Sequence, residues 1–155
     1  MRRTKPIKRE VPPDFRYQNV TVQSFINHIM TRGKKSTASR NIYGAFDIIQ
    51  EKTGKNPIEV FEQALKNVGP LMEVRPRRVG GATYQVPMEV PQDRRMTLAF
   101  RWIIDSARAR TGNSFSEKLS AEFMEAAANQ GSAVRKRDET HKMAEANRAF
   151  SHFRL

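Results

Sequence analysis

The chain has 155 residues, of which 28 are Lys or Arg and 16 are Asp or Glu, for a formal net charge of +12. Such a balance in one modest domain points to a polyanionic partner. The absence of cysteine excludes disulfides, thiolate metal sites and cysteine nucleophiles, and no apolar run approaches the roughly 18 residues of a membrane span.

Residues Met1 to Pro13 carry basic side chains without the apolar stretch of a secretory signal, so the expectation is a soluble intracellular protein with no membrane partner. Their Arg2, Arg3, Lys5, Lys8 and Arg9, spaced by Pro6, Pro12 and Pro13, show no apolar periodicity and read as a basic flexible arm for nucleic acid. A first helix is expected from about Val20, on Val22, Phe25, Ile26, Ile29 and Met30, stopping before Gly33 and leaving Lys34 and Lys35 in the following turn. A second should run from Thr37 to about Lys52 with Gly54 as terminator. A third begins at Pro57, exposes one apolar face of Ile58, Phe61 and Leu65 to the core, and ends near Gly69-Pro70.

The one clear β signal spans about residues 73–90 and is centred on Gly80-Gly81. A two-residue turn there sets Val79 opposite Ala82, Arg77 opposite Tyr84, Pro76 opposite Gln85 and Val74 opposite Pro87. Both prolines then fall where the backbone nitrogen points away from the partner strand, so one register suits both. Prolines on the two edges also block a third strand, and a lone ribbon follows. It carries Arg75, Arg77 and Arg78 beside Tyr84, pairing phosphate-binding cations with a ring able to stack on a base.

A fourth helix, about Arg94 to Arg110, is apolar round most of its circumference and should be the central one, with Trp102 in the core. Its polar stripe holds Arg94, with Arg95 beside it, then Arg101 and Arg108, and places Asp105 to pair with either of the last two. Ser114 to Glu117 has capping-box spacing and opens a fifth helix ending before Gly131. A last helix over roughly Val134 to Phe150 gathers Arg135, Lys136, Arg137, Lys142 and Arg148 into a face suited to tracking phosphates.

The sequence holds no catalytic constellation. Gly33-Lys34-Lys35-Ser36 fails the phosphate-loop pattern, which needs Gly at position 28 and Ser or Thr at 35, where His28 and Lys35 stand. His28, His141 and His152 are not at metal-ligand spacing, and Glu73, Glu89 and Asp93 have basic neighbours that account for them as ion pairs. The expectation is therefore a chain with no catalytic residue, cofactor or metal.

Gly33 to Ser36, Glu73-Val74, Arg77 to Pro87, Arg101-Trp102 and Met143 to Phe150, in that order, resemble the bacterial form of the small-subunit ribosomal seven family. The resemblance implies a mainly α fold, a single domain of about six helices with a protruding two-stranded β-ribbon arm. Residues 1–13 would be the flexible arm and 14–155 the helical RNA-binding domain. It implies a primary rRNA-binding protein of the 3′ major domain that nucleates assembly of the subunit head in the cytoplasm, and it does not separate a bacterial from an organellar ribosome. The arm, Lys34 and Lys35 would hold rRNA, together with the cations of the fourth and last helices. The ribbon residues Arg75, Arg77, Arg78, Gly80, Gly81 and Tyr84 would lie near exit-site tRNA and mRNA, and the ninth, eleventh and thirteenth small-subunit proteins would be neighbours. The chain departs from the pattern at His152 to Leu155, where relatives often end in an aromatic pair, and at Thr111 to Ser114, which is less basic than is common.

Two other readings compete. A DNA-bending architectural protein also combines helices with a basic, proline-bearing ribbon, but it inserts an apolar wedge at the tip, where this chain has Gly80-Gly81 between Val79 and Ala82. An RNA-processing enzyme would need the catalytic cluster that is missing.

Overall fold

A computed structural model describes residues 10–153. The arm cations Arg2, Arg3, Lys5, Lys8 and Arg9 lie outside the described residues. The elements are helices α1 (Val20–Ile29), α2 (Lys35–Thr53) and α3 (Pro57–Val68), strands β1 (Met72–Val79) and β2 (Ala82–Glu89), and helices α4 (Gln92–Ala109), α5 (Phe115–Ala127) and α6 (Ser132–Ala146). A 3₁₀ helix, Arg148–Phe153, is the last described element. The fold is thus mainly α with one antiparallel hairpin. The described residues divide into two compact units between Arg40 and Asn41, with α2 running through the boundary.

In the first unit, Asn19 accepts from the backbone N–H groups of Thr21 and Val22 and so starts α1 where the first orphan donors need an acceptor. The helix buries Val22, Phe25, Ile26 and Ile29. Arg32 and Gly33 both take positive φ, and α2 begins two residues earlier than the periodicity suggests, so Lys35 is its first residue rather than part of the turn.

The second unit is built around three rings. Phe46 of α2, Phe61 of α3 and Phe123 of α5 are fully buried, with centroids 5.3 to 6.1 Å apart and two of the three pairs edge to face, the arrangement favoured by ring quadrupoles. Gly44 lets α2 approach α5, since a Cβ there would sit 3.0 Å from Ser116 Oγ. Asn56 caps α3 ahead of Pro57, and Ser114 accepts from Glu117 N at the start of α5, as the spacing predicts.

Helix α4 buries Leu98, Ala99, Phe100, Ile103, Ile104 and Ala107. Trp102, expected in the core, is instead half-buried: it lies with Arg95 and Ser106 along one edge of the buried stripe. An apolar circumference read from sequence does not say how much of it finds a partner. Asp105 has no ion-pair partner among the described residues, so the expected bridge to Arg101 or Arg108 does not form.

One buried polar node joins three helices. Glu122, fully buried in α5, accepts from Arg110 Nε at 2.7 Å just beyond α4 and from Ala133 N at 3.0 Å at the start of α6. Arg110 also pairs with Glu125. That bond above all raises the guanidinium pKa further, burial opposes, and the bond to Glu122 reinforces.

Candidate nucleic-acid interface

The hairpin has the register that the prolines and glycines dictate, with Val79 opposite Ala82, Arg77 opposite Tyr84, Pro76 opposite Gln85 and Val74 opposite Pro87. Gly80 and Gly81 have φ of +57° and +90°, as the tight hairpin turn requires. Burial divides the ribbon in two. Near its base Glu73, Val86 and Pro87 are buried, whereas Arg78 through Thr83 at the tip are exposed throughout.

Three contacts fix the base to the helices. Leu71 N donates to His141 Nε2 of α6 at 3.0 Å, so the ring must be neutral at that nitrogen. Burial lowers the His141 pKa, and the positive charge of Arg137 lowers it further. Glu73 accepts from Arg75 at 2.6 Å and from Arg94 of α4 at 2.7 and 2.8 Å. Burial alone would raise its carboxyl, yet the two guanidinium groups hold it below the usual range. Tyr84 packs on Phe153 at 4.9 Å and on Phe150 at 5.4 Å. The ring expected to offer an open stacking face is therefore half-buried against the 3₁₀ helix.

The cations predicted for RNA contact separate into two groups. Arg94 and Arg75 are engaged by Glu73. Arg95 donates to the carbonyls of Gly69 and Lys66 at the end of α3. Arg137 donates to Asn67 O at 2.5 Å, Asn129 Oδ1 at 2.9 Å and Asp138, while Asn67 itself donates to the last carbonyls of α5. These side chains hold the protein together.

The second group faces solvent. Arg101 and Arg108 on α4, Lys142 on α6, Arg78 on the ribbon, and Lys34 and Lys35 at the start of α2 are exposed with no acidic partner among the described residues. Arg135 is exposed too, its charge felt by Glu125. Lys136 meets Glu139 only at 3.5 Å across open surface, an arrangement worth little in water. Arg77, opposite Tyr84, is half-buried.

The basic face of the last helix is shorter than expected. Asn147 ends α6, and Arg148 belongs to the 3₁₀ helix, where it reaches back to Glu145 at 3.4 Å. Sequence reasoning passed over Arg110 and Glu122, whose pairing joins residues from three helices and leaves no local pattern.

Among the described residues no group of His, Asp and Glu side chains could hold a metal, and no helix is long and apolar enough to cross a membrane. The described surface offers dispersed positive charge.

Residues 1–148 match the family model described as ribosomal protein S7p/S5e. The small ribosomal subunit protein uS7 of Caldanaerobacter subterraneus subsp. tengcongensis is 59% identical over 155 residues, covering 99% of each chain. The uS7 proteins of Thermotoga petrophila and Methylobacterium radiotolerans are each 58% identical, over 154 and 153 residues, with at least 98% of either chain covered.

Proposed function

From the premise that this chain belongs to the ribosomal protein S7p/S5e family, we propose that it is a primary rRNA-binding protein of the small ribosomal subunit. It is a structural constituent and not an enzyme. It binds the 3′ major domain, nucleates assembly of the head in the cytoplasm, and neighbours the ninth, eleventh and thirteenth proteins of the subunit.

The observation that carries this reading is the split among the cations. Side chains that the fold needs are closed on carboxylates and carbonyls, while Arg101, Arg108, Lys142 and Lys35 remain exposed on helices and Lys34 just ahead of α2. Rigid elements holding unpaired cations bind phosphates at little entropic cost, and counterion release supplies the affinity. The N-terminal arm adds Arg2, Arg3, Lys5, Lys8 and Arg9.

The ribbon tip has a second role in this proposal, near exit-site tRNA and mRNA. Its support is the contrast between a base anchored by His141, Glu73 and Tyr84 and an exposed tip bearing Arg78. The test of the main reading is binding of the purified chain to a transcript of the 3′ major domain and to duplex DNA at equal salt. Preference for the transcript is expected, and equal affinity would favour the architectural DNA reading.

A further inference from the structure

Phe15 is 93% exposed, the most exposed large hydrophobic side chain among the described residues, and it sits on a turn closed by several hydrogen bonds. The Asp14 carboxylate is fully buried and accepts three backbone N–H groups, those of Arg16 at 3.0 Å, Tyr17 at 2.9 Å and Asn19 at 2.8 Å. Two main-chain bonds, Gln18 N to Asp14 O and Asp14 N to Asn19 O, close the same loop, and the Gln18 amide donates to Phe15 O. Asn19 then caps α1, so the turn is continuous with a helix.

This construction holds the backbone of Phe15 fixed while turning its ring to water. An aromatic ring in that position costs solvation without adding to a core, and it gains when a flat apolar surface covers it. The guanidinium of Arg16 lies 5.3 Å from the centre of the Tyr17 ring, which keeps a positive charge within the same turn. In the sequence the basic arm leads directly into this turn. A protein groove complementary to Phe15 would have to tolerate that charge, whereas an RNA strand satisfies both needs, with a base for the ring and phosphates for the cations.

Resting on the rRNA-binding reading, we infer that Phe15 is a preformed stacking platform for one unpaired nucleobase of the rRNA. The turn supplies the position, the ring supplies the contact, and the flanking cations follow the backbone of the same strand. Because the turn is already ordered, little conformational freedom is lost on binding.

The test uses the full chain and a transcript of the 3′ major domain at one fixed salt concentration, then over a salt series. Phe15→Ala should weaken binding by about 5- to 100-fold, the span of one base stacked on an aromatic ring. The slope of log affinity against log salt should not change, because no charge is removed. Phe15→Trp should restore affinity, and Phe15→Leu, which is apolar but cannot stack, should not. All three variants should melt with the parent, since the side chain contributes nothing to the core.

Parental affinity for Phe15→Ala, or full rescue by Phe15→Leu, would overturn the inference. So would unchanged RNA affinity combined with lost recruitment of another subunit protein during reconstitution, which would make the ring a protein contact. If the parent chain itself fails to prefer the transcript, the rRNA-binding reading falls and takes this one with it.

Discussion

In the helical part of residues 41–155, Arg110 is closed between Glu122 and Glu125, whereas Arg78 at the hairpin tip has no acidic partner among the described residues. The contrast extends to the rings. Phe46, Phe61 and Phe123 share one buried cluster, while the ribbon's Tyr84 is half-buried against Phe150 and Phe153 of the 3₁₀ helix. The helices therefore contribute stability through complementary packing and pairing, and the ribbon projects charge from a narrow anchored base.

The sharpest way to break this comparison is to remove a core ring. Phe61→Ala should cost about 3 to 5 kcal/mol by transfer and cavity terms, enough to unfold a marginal domain, whereas half-buried Trp102→Ala should cost about 1 to 2 kcal/mol. Thermal or urea denaturation of the two variants checks the ranking, and equal losses would show that Trp102 belongs to the core after all.

Glu122→Ala comes next. It strips the fully buried carboxylate from Arg110 and leaves Ala133 N without its acceptor, so a loss of roughly 3 kcal/mol is expected, limited because Glu125 keeps Arg110 paired. Denaturation should show it, with the start of α6 losing amide protection first.

A smaller effect concerns the ribbon base. The folded His141 pKa lies below the ordinary 6.5, so its bond from Leu71 N stabilises fully above that pH and is lost as pH falls through the lowered value. Glu73 and Glu125 also have lowered values, but their contributions persist down to about their ordinary 4.5, which separates the two windows. Exchange of the Leu71 amide, corrected for its intrinsic rate, should accelerate as pH falls below 6.5 by an amount worth about 1 kcal/mol. In His141→Ala that acceleration should be absent.

The smallest effect should come from shortening the ribbon tip. Removing Arg78 to Thr83 and reclosing the turn should leave the melting of the helical unit within about 1 kcal/mol, because loop length costs little. Release of deacylated tRNA from reconstituted ribosomes should quicken, and a failure of head assembly would assign the tip a structural role. A longer deletion, from Arg75 to Val86, would remove a buried valine and the Tyr84 stack, so it is not a neutral cut.

Local backbone demands are legible in the sequence, and contacts made across the folded chain are not. Pro76, Pro87 and Gly80-Gly81 are enough to define the ribbon's register, because their backbone demands are local. Pro57 and Ser114 announce α3 and α5 for the same reason, whereas the cap that Asn56 supplies shows only in the folded chain. The fates of Arg94, Arg95 and Arg137 were not legible, since Glu73, Gly69 and Asn67 reach them only after the chain has folded back. Tyr84 looked open for the same reason, its covering rings lying more than sixty residues further along the chain. Periodicity identified α4 as central but could not tell that Trp102 falls at the rim of its buried stripe.

The division between exposed cations without an acidic partner, which bind RNA, and paired cations, which hold the fold, is tested most directly by the salt dependence of binding to the 3′ major domain transcript. Arg101→Gln with Arg108→Gln should weaken binding and flatten the slope by about 2 units, near 0.9 per phosphate contact by analogy with duplex DNA, with the melting temperature unchanged. Arg94→Gln and Arg137→Gln should lower the melting temperature and leave the slope as it was. If the paired arginines flatten the slope as much as Arg101 and Arg108 do, the division is wrong.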